Sequence, residues 1–134
     1  MGKLSRTLDN NSVTLVGAAN MTVNNLKADV SAGTATGNLT INADTVNPTN
    51  VSVSTGSGAD SITTSSGDDY VNGNGGADLI STNDGNDTID AQTGADTVSA
   101  GTGTDYINAG NGIGSVDGGD GTDTMGVYGI SGLA

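Results

Sequence analysis

Short runs in which one apolar residue alternates with polar neighbours recur along the whole chain, and from residue 60 onward they keep time. Ile62, Val71, Ile80, Ile89, Val98, Ile107, Val116 and Met125 fall nine residues apart. Each is flanked as Ile80 is by Leu79 and Ser81, so strand alternation sends one side chain per repeat to an inner face and its two neighbours to the outer one. A glycine-rich turn precedes each run. Gly58, Gly67, Gly76, Gly85, Gly94, Gly103, Gly112 and Gly121 share the nine-residue period and permit the tight curvature between one short strand and the next. Nine residues cannot bury an apolar side chain alone, so the units must stack, and the period predicts a solenoid. Two units make a coil of eighteen residues with a strand on each side; the eight units make about four coils.

Upstream the alternation persists without the period. Ser12 to Val16, Met21 to Val23, Asn38 to Asn42 and Asn50 to Ser54 read as strands with one apolar face, separated mostly by Asn, Gly, Asp and Ala. Asn24 to Val30 is compatible with a short helical turn, and Pro48 sits in a break where a turn or strand edge tolerates it. Residues 1–54 are therefore expected to form a non-repeating β region that continues into the array. It acts either as a cap that closes the end of the stack or as an assembly surface, because a stack end exposes unpaired backbone groups. Residues 127–134, apolar but broken by glycine, are expected to add a last strand or a contact tail. The expected fold class is all-β.

Composition sharpens this picture. Hydrophobic residues make up 33% of the 134 and aromatics 2%, with no Phe or Trp, too little for a conventional core. An acidic disordered tail would share the composition, but it would not need an apolar residue in register. Three basic residues against fifteen acidic ones give a net charge of -12, which argues against nucleic acid and anionic membranes and for cations. No apolar run reaches the length of a membrane-spanning helix, and the N-terminus lacks the apolar segment of a cleaved secretory signal. Cys, His and Glu are all absent, which removes disulfides, thiolate and imidazole metal sites, and most of the acid–base repertoire that an enzyme would use.

The acidic residues are all Asp, and twelve of the fifteen lie between residues 56 and 126. Two places after each fourth-position glycine stands Asp60, Asp69, Asp78, Asp87, Asp96, Asp105 or Asp123, with Gly114 the one exception. Ordering a nine-residue unit costs far more than burying one Ile or Val returns. Stacking at about 4.8 Å per coil also sets like charges side by side. A divalent cation resolves both problems. Calcium suits carboxylates and turn carbonyls, taking oxygen ligands in flexible geometry, whereas magnesium is stricter and zinc prefers His or Cys. Fragments such as Asp84-Gly85-Asn86-Asp87 have no Glu to close an EF-hand, and no Gly-Lys-Ser or Gly-Lys-Thr marks a phosphate loop.

The unit Gly-Gly-x-Gly-x-Asp-x-apolar-x, met in full at Gly118-Gly119-Asp120-Gly121-Thr122-Asp123-Thr124-Met125-Gly126, resembles the calcium-binding repeat of the RTX (repeats-in-toxin) family over residues 55–126. The resemblance implies a parallel β-roll with Ca²⁺ held between the turns of neighbouring coils by Asp carboxylates and main-chain carbonyls. Asp60, Asp78 and Asp96 then line one edge, and Asp69, Asp87, Asp105 and Asp123 the other. Pairing like-edge neighbours predicts about five ions, at 60/78, 78/96, 69/87, 87/105 and 105/123. The first glycine survives only at Gly73 and Gly118, being Thr55, Thr64, Thr82, Ala91, Ala100 and Ala109 elsewhere, and Ser65, Asn74, Asn83 and Gln92 replace the second, where Asn takes the left-handed conformation and Gln92 is expected to do so less readily. Folding on calcium, an extracellular or bacterial cell-surface location and export without a cleaved N-terminal signal follow by analogy. The expected function is that of a structural protein, not an enzyme, that self-assembles as a homo-oligomer or polymer into a surface layer, filament or coat. The alternative is a secretion, folding or adhesion module, binding ice or sugar, of a larger secreted protein. Tyr70 and Tyr106, with Thr88 between them, are expected to face outward from one sheet.

Overall fold

The computed structural model describes residues 12–43, 50–112 and 114–126. These residues are wound into about six turns of a β-solenoid whose strands, all parallel, fall into two long sheets. The first sheet stacks Ser12–Thr14, Asp29–Ser31, Ser52–Ser54, Tyr70–Asn72, Thr88–Asp90, Tyr106–Asn108 and Thr124–Gly126 in chain order. The second stacks Met21–Leu26, Leu39–Ala43, Ser61–Thr63, Leu79–Ser81, Thr97–Ser99 and Ser115–Asp117. The turns stack too, where Thr102–Gly103 pairs with Asp120–Gly121 and bridges join Gly75 to Thr93 and Asp84 to Thr102.

Within the array the register is the one the period dictates. Tyr70 pairs with Thr88 and Thr88 with Tyr106, each eighteen residues on, and Ser61, Leu79, Thr97 and Ser115 align likewise in the second sheet. Ile62, Val71, Ile80, Ile89 and Ile107 are wholly buried and Val98 nearly so, in one core lying between the sheets. Their flanking residues point out, and Tyr70, Thr88 and Tyr106 form the outward row expected of them. The inward row stops short of the end. Val116 is half-buried and Met125 is 50% exposed, because Thr124–Gly126 is the last rung of its sheet among the described residues.

The strands expected between Ser12 and Ser54 exist and join the same two sheets. They wind in coils of uneven length: Ser12 pairs with Asp29, Thr40 with Ser61 and Val30 with Val53. The short helical turn that Asn24 to Val30 allowed does not form. Leu26 ends one strand and Asp29 begins the next; Leu26 and Val30 are both buried in the core, and a left-handed Asn25 (φ 54) sits at the register shift between Val23 and Leu26. Pro48 and residues 127–134 lie outside the described residues.

The glycine ladder has a steric cause visible at Gly94. Its φ of 145° is one that L side chains rarely adopt, and a Cβ there would run into the Gly76 carbonyl of the coil below. Gly76 stands in the same relation to Gly58, and Gly103 to Gly85.

Adjacent residues give a direct test of the register. Ile80→Ala should cost about 2–5 kcal/mol by leaving a cavity, and Leu79→Ala, at a 54% exposed position, no more than about 0.5 kcal/mol. Urea unfolding at saturating calcium measures both, and equal losses would refute the inward–outward assignment.

Candidate metal centre

Each turn delivers its aspartate to the interior side of the coil edge. The chain leaves the glycine turn, places Asp as the last residue before the strand, and the strand's pairing fixes the carboxylate against the coil below. Asp60, Asp69, Asp78, Asp87, Asp96 and Asp105 are all buried, between 1% and 3% exposed, while Asp123 on the last rung is half-buried.

Each carboxylate has two oxygens with opposite situations. Oδ1 accepts a backbone N–H from the preceding coil: Asp60 N–H donates to Asp78 (2.8 Å), Asp78 to Asp96 (2.9 Å), Asp69 to Asp87 (2.8 Å), Asp87 to Asp105 (2.8 Å) and Asp105 to Asp123 (3.0 Å). The two columns continue into the uneven coils, where Leu39 N–H donates to Asp60 and Val51 N–H to Asp69, both at 2.8 Å. Oδ2 is buried without a hydrogen-bond partner in Asp60, Asp69, Asp78, Asp87, Asp96 and Asp105. All five expected like-edge pairs are thus brought together, on the two edges the pattern assigned. The column of Asp60, Asp78 and Asp96 ends there, since Gly114 brings no carboxylate and its N–H donates to the Asp96 carbonyl instead.

Burial raises the carboxyl pKa of Asp60, Asp69, Asp78, Asp87 and Asp96 above the ordinary 3.8, against the opposing pull of the N–H donors. Asp78 is pushed up to about 7, with the carboxylates of Asp60 and Asp96 adding like-charge repulsion. Asp87 reaches about 6, its burial reinforced by Asp69 and Asp105.

Three residues that looked like defects in the repeat take part in this edge. The hydroxyls of Thr55, Thr64 and Thr82 lie beside the carboxyls of Asp60, Asp69 and Asp87. Each hydroxyl has one proton, and it is directed at a carbonyl of the next coil: Thr55 to Gly73 (3.1 Å), Thr64 to Thr82 (3.1 Å) and Thr82 to Ala100 (3.0 Å). The Oδ2 atoms therefore keep no hydrogen bond of their own. In the second position, Asn74 (φ 58), Asn83 (φ 71) and Gln92 (φ 63) all adopt the left-handed conformation, Gln92 included. Asn74 and Asn83 repay it by donating to the Thr55 and Thr64 carbonyls, both at 2.6 Å.

A second, exposed ladder runs outside the first and was not foreseen. Asn50 accepts from Asp68 N–H, Asp68 from Asn86 N–H and Asn86 from Thr104 N–H, at 2.8–3.0 Å. Its signal in the sequence is only that Asn50, Asp68 and Asn86 recur every eighteen residues.

The donor set fits a hard cation. Orphaned buried carboxylate oxygens point at the coil edge, and a Cβ on Gly73 would lie 2.7 Å from Asp78 Oδ2 and 3.3 Å from the Ala91 carbonyl, so glycine there keeps a space between two oxygens. Among the described residues no three acidic side chains gather into a cluster that could hold a metal by themselves. Main-chain carbonyls would have to complete the shell.

Comparison with protein families matches residues 52–80 and 81–116 to the RTX calcium-binding nonapeptide repeat, a family description spanning 4 copies. Residues 52–116 carry the repeat of this family, whose repeats bind Ca²⁺ on a β-roll. Neither the curated proteins nor the solved structures gave a match to the chain.

The raised pKa values set a pH dependence for the metal-free roll. A folded-state pKa above the unfolded one means that the fold gains most when protonated, so this contribution is complete below about pH 4 and is lost as pH rises through about 6 and 7. In excess chelator, strand content by circular dichroism should be higher at about pH 5 than at about pH 8; the reverse order would contradict the burial of these carboxyls.

Proposed function

We propose that this chain is a calcium-binding extracellular structural protein whose β-roll is completed by Ca²⁺ and which assembles with copies of itself. The observation that carries the reading is the row of six buried aspartates with Oδ2 lacking any partner. Buried charge without a partner is costly, and a divalent cation shared between like-edge neighbours removes both the desolvation cost and the repulsion. The residues assigned to it are Asp60, Asp69, Asp78, Asp87, Asp96, Asp105 and Asp123, and the five like-edge pairs are the intervals at which ions can sit. Ca²⁺ supplies charge neutralisation there. The chain supplies rigid carboxylates, held by Oδ1, and turn carbonyls.

Because binding belongs to the folded state, its free energy adds to folding. That coupling works where calcium is abundant, outside the cell, and proteins with this repeat are typically secreted. The RTX β-roll is a structural fold rather than a typically catalytic one. Assembly is supported by the sheet ends. Ser12–Thr14 and Thr124–Gly126 are edge strands among the described residues, and Met125 lies half-exposed on the last rung. Parallel edges of this kind template further pairing, and head-to-tail joining gives an open polymer such as a layer, filament or coat.

An adhesion module is the second reading. It is favoured by the outward row of Tyr70, Thr88 and Tyr106, where both tyrosines are 43% exposed on one sheet.

Calcium removal tests the main reading. Excess EDTA should lower the strand signal in circular dichroism, and readdition of calcium should restore it. Light scattering at millimolar Ca²⁺ should then show ordered growth in size. Unchanged strand content in EDTA would reject the folding role, and a persistent monomer in calcium would favour the module.

A further inference from the structure

The intervals between like-edge aspartates are not equivalent. In three of them a threonine hydroxyl already spans the gap: Thr55 reaches the Gly73 carbonyl across the 60/78 interval, Thr64 the Thr82 carbonyl across 69/87, and Thr82 the Ala100 carbonyl across 87/105. Each of these hydroxyls is buried, with its threonine at 0% exposure, and each lies beside the carboxyl of its own turn. It stands where a carboxylate and a main-chain carbonyl of the next coil converge, which is where a cation shared by the two turns would take its ligands. Two of the three are locked from the other side, since Asn74 and Asn83 donate back to the Thr55 and Thr64 carbonyls.

The remaining two intervals differ. Across 78/96 the first position is Gly73, and the space that its missing side chain leaves is bounded by Asp78 Oδ2 and the Ala91 carbonyl. Across 105/123 the first positions are Ala100 and Gly118, neither of which brings a hydroxyl. A Cβ on Gly118 would lie 2.6 Å from Asp123 Oδ2, so this turn too depends on glycine to seat its carboxylate. Asp78 Oδ2, Asp96 Oδ2 and Asp105 Oδ2 are buried and unpartnered, as are those of Asp60, Asp69 and Asp87, so the intervals differ in the threonine hydroxyl and not in the carboxylates.

We infer that Thr55, Thr64 and Thr82 act as hydroxyl plugs that close three of the five intervals to metal, so that calcium enters only at 78/96 and 105/123, one ion on each edge. A hydroxyl donates one hydrogen bond and carries no charge. It holds neighbouring turns together more weakly than a cation, but at any calcium concentration. The plugs come first along both edges, so the roll has a metal-independent stretch next to the uneven coils and a metal-dependent stretch toward its C-terminal side. The inference rests on the calcium reading above and fixes which members of the site the ion uses.

Calcium stoichiometry of the full chain, by native mass spectrometry and calorimetric titration at near-neutral pH, tests it. Two tightly bound ions are expected. Three or more would overturn the plugs while leaving the calcium reading intact; none would overturn both. The triple variant T55G/T64G/T82G, confirmed as folded by circular dichroism at saturating calcium, should raise the count above two, and the hydroxyl-retaining T55S/T64S/T82S should keep it at two. A count unchanged in the glycine variant refutes the plug. Asp123→Asn, which touches only an open interval, gives a check independent of the threonines: the count should fall from two to one, and no change would refute the assignment of 105/123.

Discussion

The structure turns on a divided carboxylate. In each coil of the array the aspartate uses Oδ1 to accept a backbone N–H of the coil before it, and this contact pins the carboxylate inside the edge while Oδ2 is left without a hydrogen-bond partner. Most features of the repeat follow from that arrangement. The residue must be short, because the carboxylate has to reach back to the coil below from the last position of a tight turn, and the chain uses Asp fifteen times and Glu never. The fourth position must be glycine, because the carbonyl of the same position one coil below occupies the space of a Cβ. The apolar residue two places after the aspartate must be β-branched or compact, because a coil two strands wide leaves an interior only one side chain deep from each sheet.

A single isolated carboxylate buried this way would be expelled or protonated, and the upward pKa shifts of Asp78 and Asp87 express that strain. Repetition does not relieve it, since each coil adds another like charge to the column. The ladder is thus a structure that the hydrogen bonds define and the charges oppose. The threonine hydroxyls and the cation are two answers to one problem, and they differ in what they ask of the surroundings. A hydroxyl is built into the chain and always present. A cation is stronger but has to be supplied from solution, so any segment relying on it is ordered only where that supply exists.

This contrast explains which parts were legible in the sequence. The period gave away the coil length, the register, the two aspartate columns and the outward row of Tyr70, Thr88 and Tyr106, because each depends only on residues recurring at fixed offsets. Asp29–Ser31 escaped notice, as three residues with one valine carry no periodic signal outside the array. Met125 occupies an inward position and is exposed all the same, since burial there depends on a following coil and not on its own repeat. Thr55, Thr64 and Thr82 were readable as departures from glycine but not as partners. Their role appears only when the carbonyl eighteen residues later is placed above them. The outer ladder of Asn50, Asp68 and Asn86 was hidden for the same reason: a side chain that caps a backbone group in the next coil looks in sequence like any polar turn residue.

The roll is also uneven in what stabilises it along its length. Leu15, Val23, Leu26, Val30, Leu39, Ile41, Val51 and Val53 crowd the interior of the coils between residues 12 and 54, with Ala32, Ala35 and Ala43 filling in, so hydrocarbon burial dominates that end. Beyond Ser54 each three-residue strand from Ser61–Thr63 to Ser115–Asp117 contributes one Ile or Val, and burial per residue falls. In a solenoid, where stability is a sum of repeat and nearest-neighbour terms, such a gradient gives folding a direction. The apolar coils can order first, and each further coil then docks on a finished edge, closing a loop of about eighteen residues instead of searching the whole chain for its register. Registry errors are the hazard of such a repeat, because a slip of one full coil keeps the apolar and fourth-position glycine residues in step. The uneven coils remove that freedom. Leu39 N–H can meet Asp60 and Val51 N–H can meet Asp69 only in one alignment, so the irregular end fixes the phase that the regular end copies.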